Sequence, residues 1–193
     1  MKAAIIKYNA GNIYSVKLAL ERLGAESIIS ENPDEIRSAD RVIFPGVGEA
    51  SSAMRYLRNN GLAGLLPEIK QPFLGICLGL QLMCRYSEEN NTDCLNIFPV
   101  DVLKFPPQDK VPHMGWNSIS SLKGKLFKNV PEGSFVYFVH SFFAQRNEFE
   151  SAVTDYITPF SAAIEKDNFY AVQFHPEKSA HVGEQILRNF LEL

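Results

Sequence analysis

Pro72-Phe73-Leu74-Gly75-Ile76-Cys77-Leu78-Gly79-Leu80-Gln81 is the stretch around which the chain is organised. An apolar run ends in a cysteine with glycine two residues before it and two residues after it. In a Gly-x-nucleophile-x-Gly turn the chain leaves a buried strand, reverses through a cramped backbone and enters a helix. Only hydrogen then fits where Gly75 and Gly79 have their side chains. The sulfur of Cys77 would stand at a sheet edge and at the start of a helix near Leu78, where free N–H groups and the helix dipole favour a thiolate. Cys84 and Cys94 lack the glycine pair and read as inert buried residues.

Upstream, the pattern alternates. Ala3 to Tyr8 reads as a buried strand and Asn9-Ala10-Gly11-Asn12 as a turn. Ile13, Val16, Leu20 and Leu23 then recur at helical spacing up to a Gly24 cap. Ala25 to Ser30 is a second strand, Asn32-Pro33 opens a short helix, and Arg41-Val42-Ile43-Phe44 is a third strand. Strands alternating with helices call for a doubly wound, mostly parallel sheet. The third strand runs into Pro45-Gly46-Val47-Gly48 and a helix from Glu49 to Leu57. The two glycines let backbone N–H groups turn outward and leave room for a carbonyl oxygen, as an oxyanion loop requires. In an open parallel sheet functional loops gather at the carboxyl ends of the strands, where Cys77 also lies.

Downstream of the cysteine a helix from Leu78 to Tyr86 would present Leu78, Leu82 and Tyr86 on one face. Gln81 falls one turn beyond Cys77, on the pocket side. Ser87 to Asp93 is polar and acidic, a solvated loop of which one carboxylate could hold an ammonium group. Beyond residue 94, runs at Leu95–Pro99, Val102–Phe105, Phe135–Val139 and Ser161–Ile164 lie between Pro- and Gly-rich turns, so the second half reads as an added antiparallel or mixed sheet. His113-Met114-Gly115-Trp116-Asn117 and the aromatic strand Val136 to Phe143 read first as core packing. The chain closes with an amphipathic helix, His181 to Leu193.

The strand Asn168 to Phe174 ends in His175-Pro176-Glu177. Pro176 biases His175 toward an extended conformation, in which residues two apart point to one side. Glu177 can then hold one imidazole nitrogen while the other faces Cys77, giving a Cys-His-Glu triad. His113 and His140 have no neighbouring acid to orient them.

At 193 residues and 46% hydrophobic content the chain suits one α/β domain over residues 1–193. A net charge of −3 with scattered basic residues offers no footprint for nucleic acid or an anionic membrane. No apolar run has signal-peptide or transmembrane form, and three cysteines without CxxC spacing argue against a disulfide framework or a zinc site. A reduced, cytoplasmic protein is expected. The triad chemistry needs neither metal nor organic cofactor.

The PGVG loop at 45–48, GICLGLQ at 75–81 and HPEKS at 175–179, in this order, resemble the triad-type (class I) glutamine amidotransferases along the whole chain. HMGWN at 113–117 and YFVHSF at 137–142 resemble, within that class, the glutaminase subunits that serve a (β/α)8-barrel cyclase in histidine biosynthesis. Other members typically carry a second proline where this chain has Val47. The resemblance implies a flavodoxin-like α/β fold with helices on both faces, and hydrolysis of glutamine through a γ-glutamyl thioester on Cys77. It implies an oxyanion hole from the N–H groups of Leu78 and the Val47-Gly48 segment, and a glutamine site lined by Gly48, Gln81, Glu89, Ser141 and Phe142. Glu89 would receive the α-ammonium group. Asn12, Trp116, Tyr137 and Lys178 would lie at or near the interface with the cyclase in a heterodimer. Two departures stand out: Asn9-Ala10 where relatives often have glycine or proline, and Phe142 in place of a frequent tyrosine, which leaves contact by the ring alone. In such a subunit the Val47–Gly48 peptide is expected to keep its N–H turned away until the partner biases it. The other readings are an amidotransferase subunit of a different synthase and an inactive, regulatory binding domain.

Overall fold

The computed structural model describes residues 1–8 and 11–193. The expected turn and departure at Asn9 and Ala10 lie outside the described residues. Strands β1 (Lys2–Ile6), β2 (Glu26–Ser30), β3 (Arg41–Phe44) and β4 (Phe73–Ile76) alternate with helices α1 (Ile13–Arg22), α2 (Pro33–Ser38), α3 (Ala50–Asn59) and α4 (Leu62–Leu65), and α5 (Leu78–Met83) follows β4. Local chemistry sets these boundaries. Asn32 Oδ1 accepts the Asp34 N–H at 2.8 Å to start α2, and the Glu49 carboxylate accepts the Ser51 and Ser52 N–H groups at 2.7 and 2.8 Å to start α3.

The second half contributes β5 (Tyr86–Ser87), β6 (Thr92–Asp93), β7 (Asp101–Lys104), β8 (His113–Ser118), β9 (Phe135–His140), β10 (Phe142–Ala144), β11 (Glu150–Tyr156), β12 (Thr158–Lys166), β13 (Phe169–Val172) and α6 (Ala180–Leu191). The central sheet has the order β11-β12-β13-β4-β3-β1-β2. From β2 to β13 it is parallel, and β12 and β11 continue it antiparallel. A four-stranded sheet, β10-β7-β5-β6, and the antiparallel pair β8-β9 complete the second half.

Alternation along each strand feeds two cores, as a sheet covered on both faces requires. Ile5, Ile43, Leu74, Ile76 and Val172 pack with α1 and α6 on one face. Ile6, Val42, Phe44, Phe73 and Ala171 pack with α2 to α5 on the other. Phe44 and Phe73 are fully buried, each contributing about 1.5–3 kcal/mol relative to exposure.

Several expectations are corrected. The helix after Cys77 stops at Met83 rather than reaching Tyr86, because the carbonyls of Leu82, Met83 and Cys84 accept the N–H groups of Leu95, Ile97, Phe98 and Asn96. Leu95–Pro99 is therefore a loop that seals the end of α5 and not a strand. The acidic stretch 87–93 is a tight hairpin, β5 to β6. The aromatic run 136–143 is two strands broken at Ser141, and β8 and β11 are strands that the sequence did not single out. Cys84 is buried, while Cys94 is only partly so.

What this arrangement positions is specific. β3, β4 and β13 are neighbours in the sheet, and the PGVG loop, Cys77 and the segment leading to His175 leave their carboxyl ends side by side.

Candidate active site

Cys77 occupies a backbone conformation with φ 53° and ψ −105°, which costs a non-glycine residue about 1–3 kcal/mol. Its neighbours show why the turn needs glycine. A Cβ on Gly79 would lie 1.9 Å from the Phe44 carbonyl oxygen, and one on Gly75 would lie 2.4 Å from the Met83 sulfur. The glycines thus serve close packing of α5 on β3 and β4, while the cysteine itself takes the strained torsion. The Cys77 N–H is held by the Val172 carbonyl at 2.8 Å, tying the turn to β13.

His175 follows β13 and is 1% exposed. Its Nδ1 lies 2.8 Å from Glu177 Oε1. A carboxylate only accepts, so the proton is on Nδ1 and Nε2 is the free nitrogen. Nε2 is buried without a hydrogen-bond partner among the described residues, and Cys77 is the neighbour whose charge acts on the ring. Burial alone would lower the His175 pKa; the Cys77 charge and the Glu177 carboxylate outweigh it and raise the value to about 10. His175 is extended, as expected before a proline (φ −100°, ψ 95°), but the extended path stops there: residues Pro176–Lys178 form a single 3-10 turn, and the Glu177 carboxylate meets the ring from that turn. Asn12 Nδ2 donates to the same Glu177 Oε1. Ser179 holds the backbone, donating to the His175 carbonyl at 2.6 Å and accepting the Tyr137 N–H at 2.9 Å.

In front of Cys77 is a cavity of about 330 Å³ lined by Val47, Gly48, Cys77, Leu78, Gln81, Glu89, Pro112, Val139, His140, Ser141 and Phe142. The residues expected to line a substrate site are therefore brought together: Gly48, Gln81, Glu89, Ser141 and Phe142 all reach it. Gln81 Nε2 donates to the Phe142 carbonyl at 2.8 Å and to Gln173 Oε1 at 3.1 Å. Both amide hydrogens are thereby engaged, which leaves Gln81 Oε1 as an acceptor for a ligand. Glu89 Oε2 accepts the Ala50 N–H at 2.7 Å, and burial raises its pKa above the usual carboxylate value, a cost that a bound cation would reverse. The Phe142 backbone carbonyl also receives His140 Nδ1 at 2.8 Å, so this residue contributes a polar contact at the cavity besides its ring.

The loop expected to form the oxyanion hole turns the Gly46 carbonyl toward the start of the helix beside Cys77. The Leu78 N–H donates to the Gly46 carbonyl at 3.3 Å, and the Gly11 N–H donates to the Val47 carbonyl at 3.3 Å. In a planar trans peptide the N–H points opposite to the C=O, so the Val47 N–H is turned away from the sulfur. The link that blocks the hole is Gly46–Val47, one residue earlier than the expected Val47–Gly48.

Of the residues expected at an interface, Trp116, Tyr137 and Lys178 lie together, while Asn12 is bonded to Glu177. Trp116 and Tyr137 are paired across β8-β9 with ring centroids 6.1 Å apart, and the Lys178 ammonium lies 5.9 Å from the Tyr137 ring centroid. Trp116 is 53% exposed and its neighbour Met114 59%. Gln173, whose Nε2 is 3.7 Å from the Cys77 sulfur, Ser179 and the buried pair His113–His140, 3.0 Å apart, were not identified from the sequence. A polar residue in the otherwise largely apolar run 169–174 was the one signal available for Gln173, which follows β13.

A family model described as glutamine amidotransferase class-I matches residues 4–193. The chain is 59% identical over 196 residues to the imidazole glycerol phosphate synthase subunit HisH of Bacteroides fragilis, with 100% of both chains covered. It is 60% identical over 196 residues to the subunit of the same name from Bacteroides thetaiotaomicron, again with 100% of both covered. Among solved structures, a glutamine amidotransferase from Thermotoga maritima overlays with a TM-score of 0.67 at 16% identity, covering 100% of this chain and 83% of that one; this likeness shows the fold.

Proposed function

The chain belongs to the class-I glutamine amidotransferases, and from that premise we propose that residues 1–193 act as one glutaminase domain, the ammonia-supplying subunit of an imidazole glycerol phosphate synthase. Glutamine is hydrolysed to glutamate and ammonia. The ammonia passes to a (β/α)8-barrel cyclase subunit, which uses it in histidine biosynthesis to make imidazole glycerol phosphate and aminoimidazole carboxamide ribotide. The ring-closing lyase step is the partner's. Both subunits would work in the cytoplasm.

The observation that carries this reading is the histidine between two partners. His175 has Nδ1 fixed by Glu177 and Nε2 left for Cys77, beside a cavity that ends in acceptors for an ammonium group. In the reaction the Cys77 thiolate attacks the side-chain carbonyl carbon of glutamine. The C=O bond becomes an oxyanion, and the imidazolium Nε2 proton goes to the departing nitrogen, releasing ammonia and leaving a γ-glutamyl thioester. Neutral His175 then takes a proton from water, whose oxygen attacks the thioester and frees glutamate. Glu177 stabilises the imidazolium, and Asn12 holds Glu177. Gln81 Oε1 and the second oxygen of Glu89 receive the α-ammonium of the substrate.

The oxyanion needs two donors, and with the Leu78 N–H bonded to the Gly46 carbonyl and the Val47 N–H opposite that carbonyl, neither of these two is available. A carbonyl at the position where negative charge develops is repulsive, so the Gly46–Val47 peptide must turn over, releasing the Leu78 N–H and bringing the Val47 N–H beside it. Binding of the cyclase at Asn12, Trp116, Tyr137 and Lys178, next to the triad, would bias that equilibrium. The test is glutamate release from glutamine by the chain alone, then with the cyclase and its nucleotide ligand, with Cys77→Ala as control. Strong activation lost in Cys77→Ala is expected; release that ignores the cyclase would overturn the partner, and no release in any mixture would overturn the activity.

A further inference from the structure

Three consecutive peptide links run along the pocket edge between Pro45 and Gly48. The first is fastened by Tyr8, whose hydroxyl donates to the Pro45 carbonyl at 2.6 Å. The third is fastened by the Gly11 N–H on the Val47 carbonyl. The link between them, Gly46–Val47, has one backbone partner among the described residues, the Leu78 N–H at 3.3 Å, a bond as long as the one between Gly11 and Val47, so the Tyr8 hydroxyl supplies the one short anchor of the three.

Tyr8 is 3% exposed, and its ring packs 5.0 Å from that of Phe44. A Cβ placed on Gly46 would lie 2.0 Å from the phenol oxygen, so the hydroxyl is pressed directly against the Gly46 Cα. Burial first, and then the Cys77 charge, push the phenol well above its ordinary pKa, which keeps it a neutral donor. The triad reaction makes no use of this group. A phenylalanine would fill the same space and lack only the bond to Pro45.

We propose that Tyr8 is a positioning residue for the oxyanion loop: its hydroxyl clamps the link before Gly46–Val47, so that this one link turns over while its neighbours stay in place. The proposal rests on the glutaminase reading. Rotation about the Gly46 and Val47 Cα atoms exchanges C=O for N–H without moving either Cα, provided the flanking links hold, and Gly46 has no side chain to oppose it. With the Pro45 carbonyl clamped, the Val47 N–H swings into the place that the Gly46 carbonyl leaves. Without the clamp the rotation spreads into the Pro45–Gly46 link and the donor arrives displaced, an error to which oxyanion stabilisation is sensitive.

The experiment compares wild type and Tyr8→Phe in complex with the cyclase and its nucleotide ligand. In the variant kcat for glutamate release should fall about five- to twenty-fold, with KM for glutamine and the rate of Cys77 alkylation by iodoacetamide unchanged, since neither needs the hole. Unchanged kcat would overturn the proposal, as would KM and alkylation moving together with kcat, which would mark Tyr8 as merely structural. A second variant reads the contact itself: Gly46→Ala should cost less activity in the Tyr8→Phe background than in wild type, and equal cost in both would count against the clamp. If the wild-type complex releases no glutamate, the glutaminase reading fails separately. The clamp is then decided by amide relaxation dispersion on the chain alone. Exchange confined to the Val47 amide in wild type and spreading to the Gly46 amide in Tyr8→Phe supports it; identical profiles overturn it.

Discussion

His175 and His140 have nearly the same surroundings and opposite properties. Both rings are buried, at 1% and 6% exposure, and both have Nδ1 fixed by an oxygen at 2.8 Å. At His175 that oxygen belongs to the Glu177 carboxylate, and Nε2 is left for the Cys77 sulfur. At His140 it belongs to the neutral Phe142 carbonyl, and Nε2 meets a second imidazole, His113. One pKa rises to about 10; burial drives the other down to about 3, although the Phe142 carbonyl favours the charged ring. Burial therefore does not decide what a histidine does here. The charge of the two groups it touches decides, and that suits one ring to carry a proton, as proposed above, and keeps the other neutral.

The largest effect should come from removing the sulfur. In Cys77→Ala glutaminase activity should fall at least about 10⁴-fold, and the His175 titration followed by NMR should move well down from about 10 toward the behaviour of His140, since the Cys77 charge is the leading cause of the upward shift. A His175 pKa that stays near 10 in this variant would break the comparison. Glu177→Gln is the next test, because it gives His175 the same neutral acceptor that His140 has. We expect kcat to drop about 10²–10³-fold with glutamine KM little changed, and the His175 pKa to fall.

How far the sequence reached depends on how local each signal is. The parallel half was legible because β3 and β4 are buried almost throughout and read as apolar runs closed by glycine-bearing turns; β3 and the start of α2 fall where expected. The juxtaposition of Cys77, His175 and Glu177 was legible because Gly-x-Cys-x-Gly and His-Pro-Glu are short motifs at strand ends. The second half was legible in part: the expected runs coincide with β7, β9, β12 and β13, but β5 and β6 were missed because they have two residues each and exist only through their pairing with β7 and with each other. The helix after Cys77 ends where the loop from Leu95 to Phe98 takes its last carbonyls. Tyr8, Gln173 and His140 were missed alike: each owes its place to a partner distant in sequence, Pro45, Gln81 with Cys77, and His113. Peptide orientation in the PGVG loop also lies outside what composition encodes, since the sequence permits both directions and a contact from Leu78 selects one.

The neutral ring can be tested by removing it. His140→Phe keeps an aromatic ring among Phe105, Phe138 and Phe160, but releases the Phe142 carbonyl and leaves the His113 Nδ1–H without its acceptor. Because Gln81 is oriented by that same carbonyl, the KM for glutamine should rise about three- to tenfold while the Cys77 alkylation rate is unchanged. A loss of kcat with KM intact would place His140 in the proton-transfer machinery and merge the two sites that the comparison separates.

The smallest effect is on stability, and there the two sites should act at opposite ends of the pH scale. His113 and His140 are driven by burial to about 4 and about 3 in the fold, below the value near 6.5 of an unfolded histidine. The unfolded chain therefore binds more protons as pH falls below about 6.5, and the stability that the neutral pair contributes, fully present above that value, is lost toward pH 4 and below. His175 has the reverse sign: its contribution is fully present below about 6.5 and is lost as pH rises through about 10. At pH 5 the acid-side loss amounts to up to about 2 kcal/mol per ring, or roughly 5 °C in melting temperature for a chain of this size. Melting curves between pH 8 and 5 should thus fall more steeply for wild type than for a His113→Phe, His140→Phe double variant, while both keep the alkaline decline. If the double variant has the same acid slope as wild type, the pair is not held neutral by the fold, and the contrast with His175 would have to rest on geometry alone.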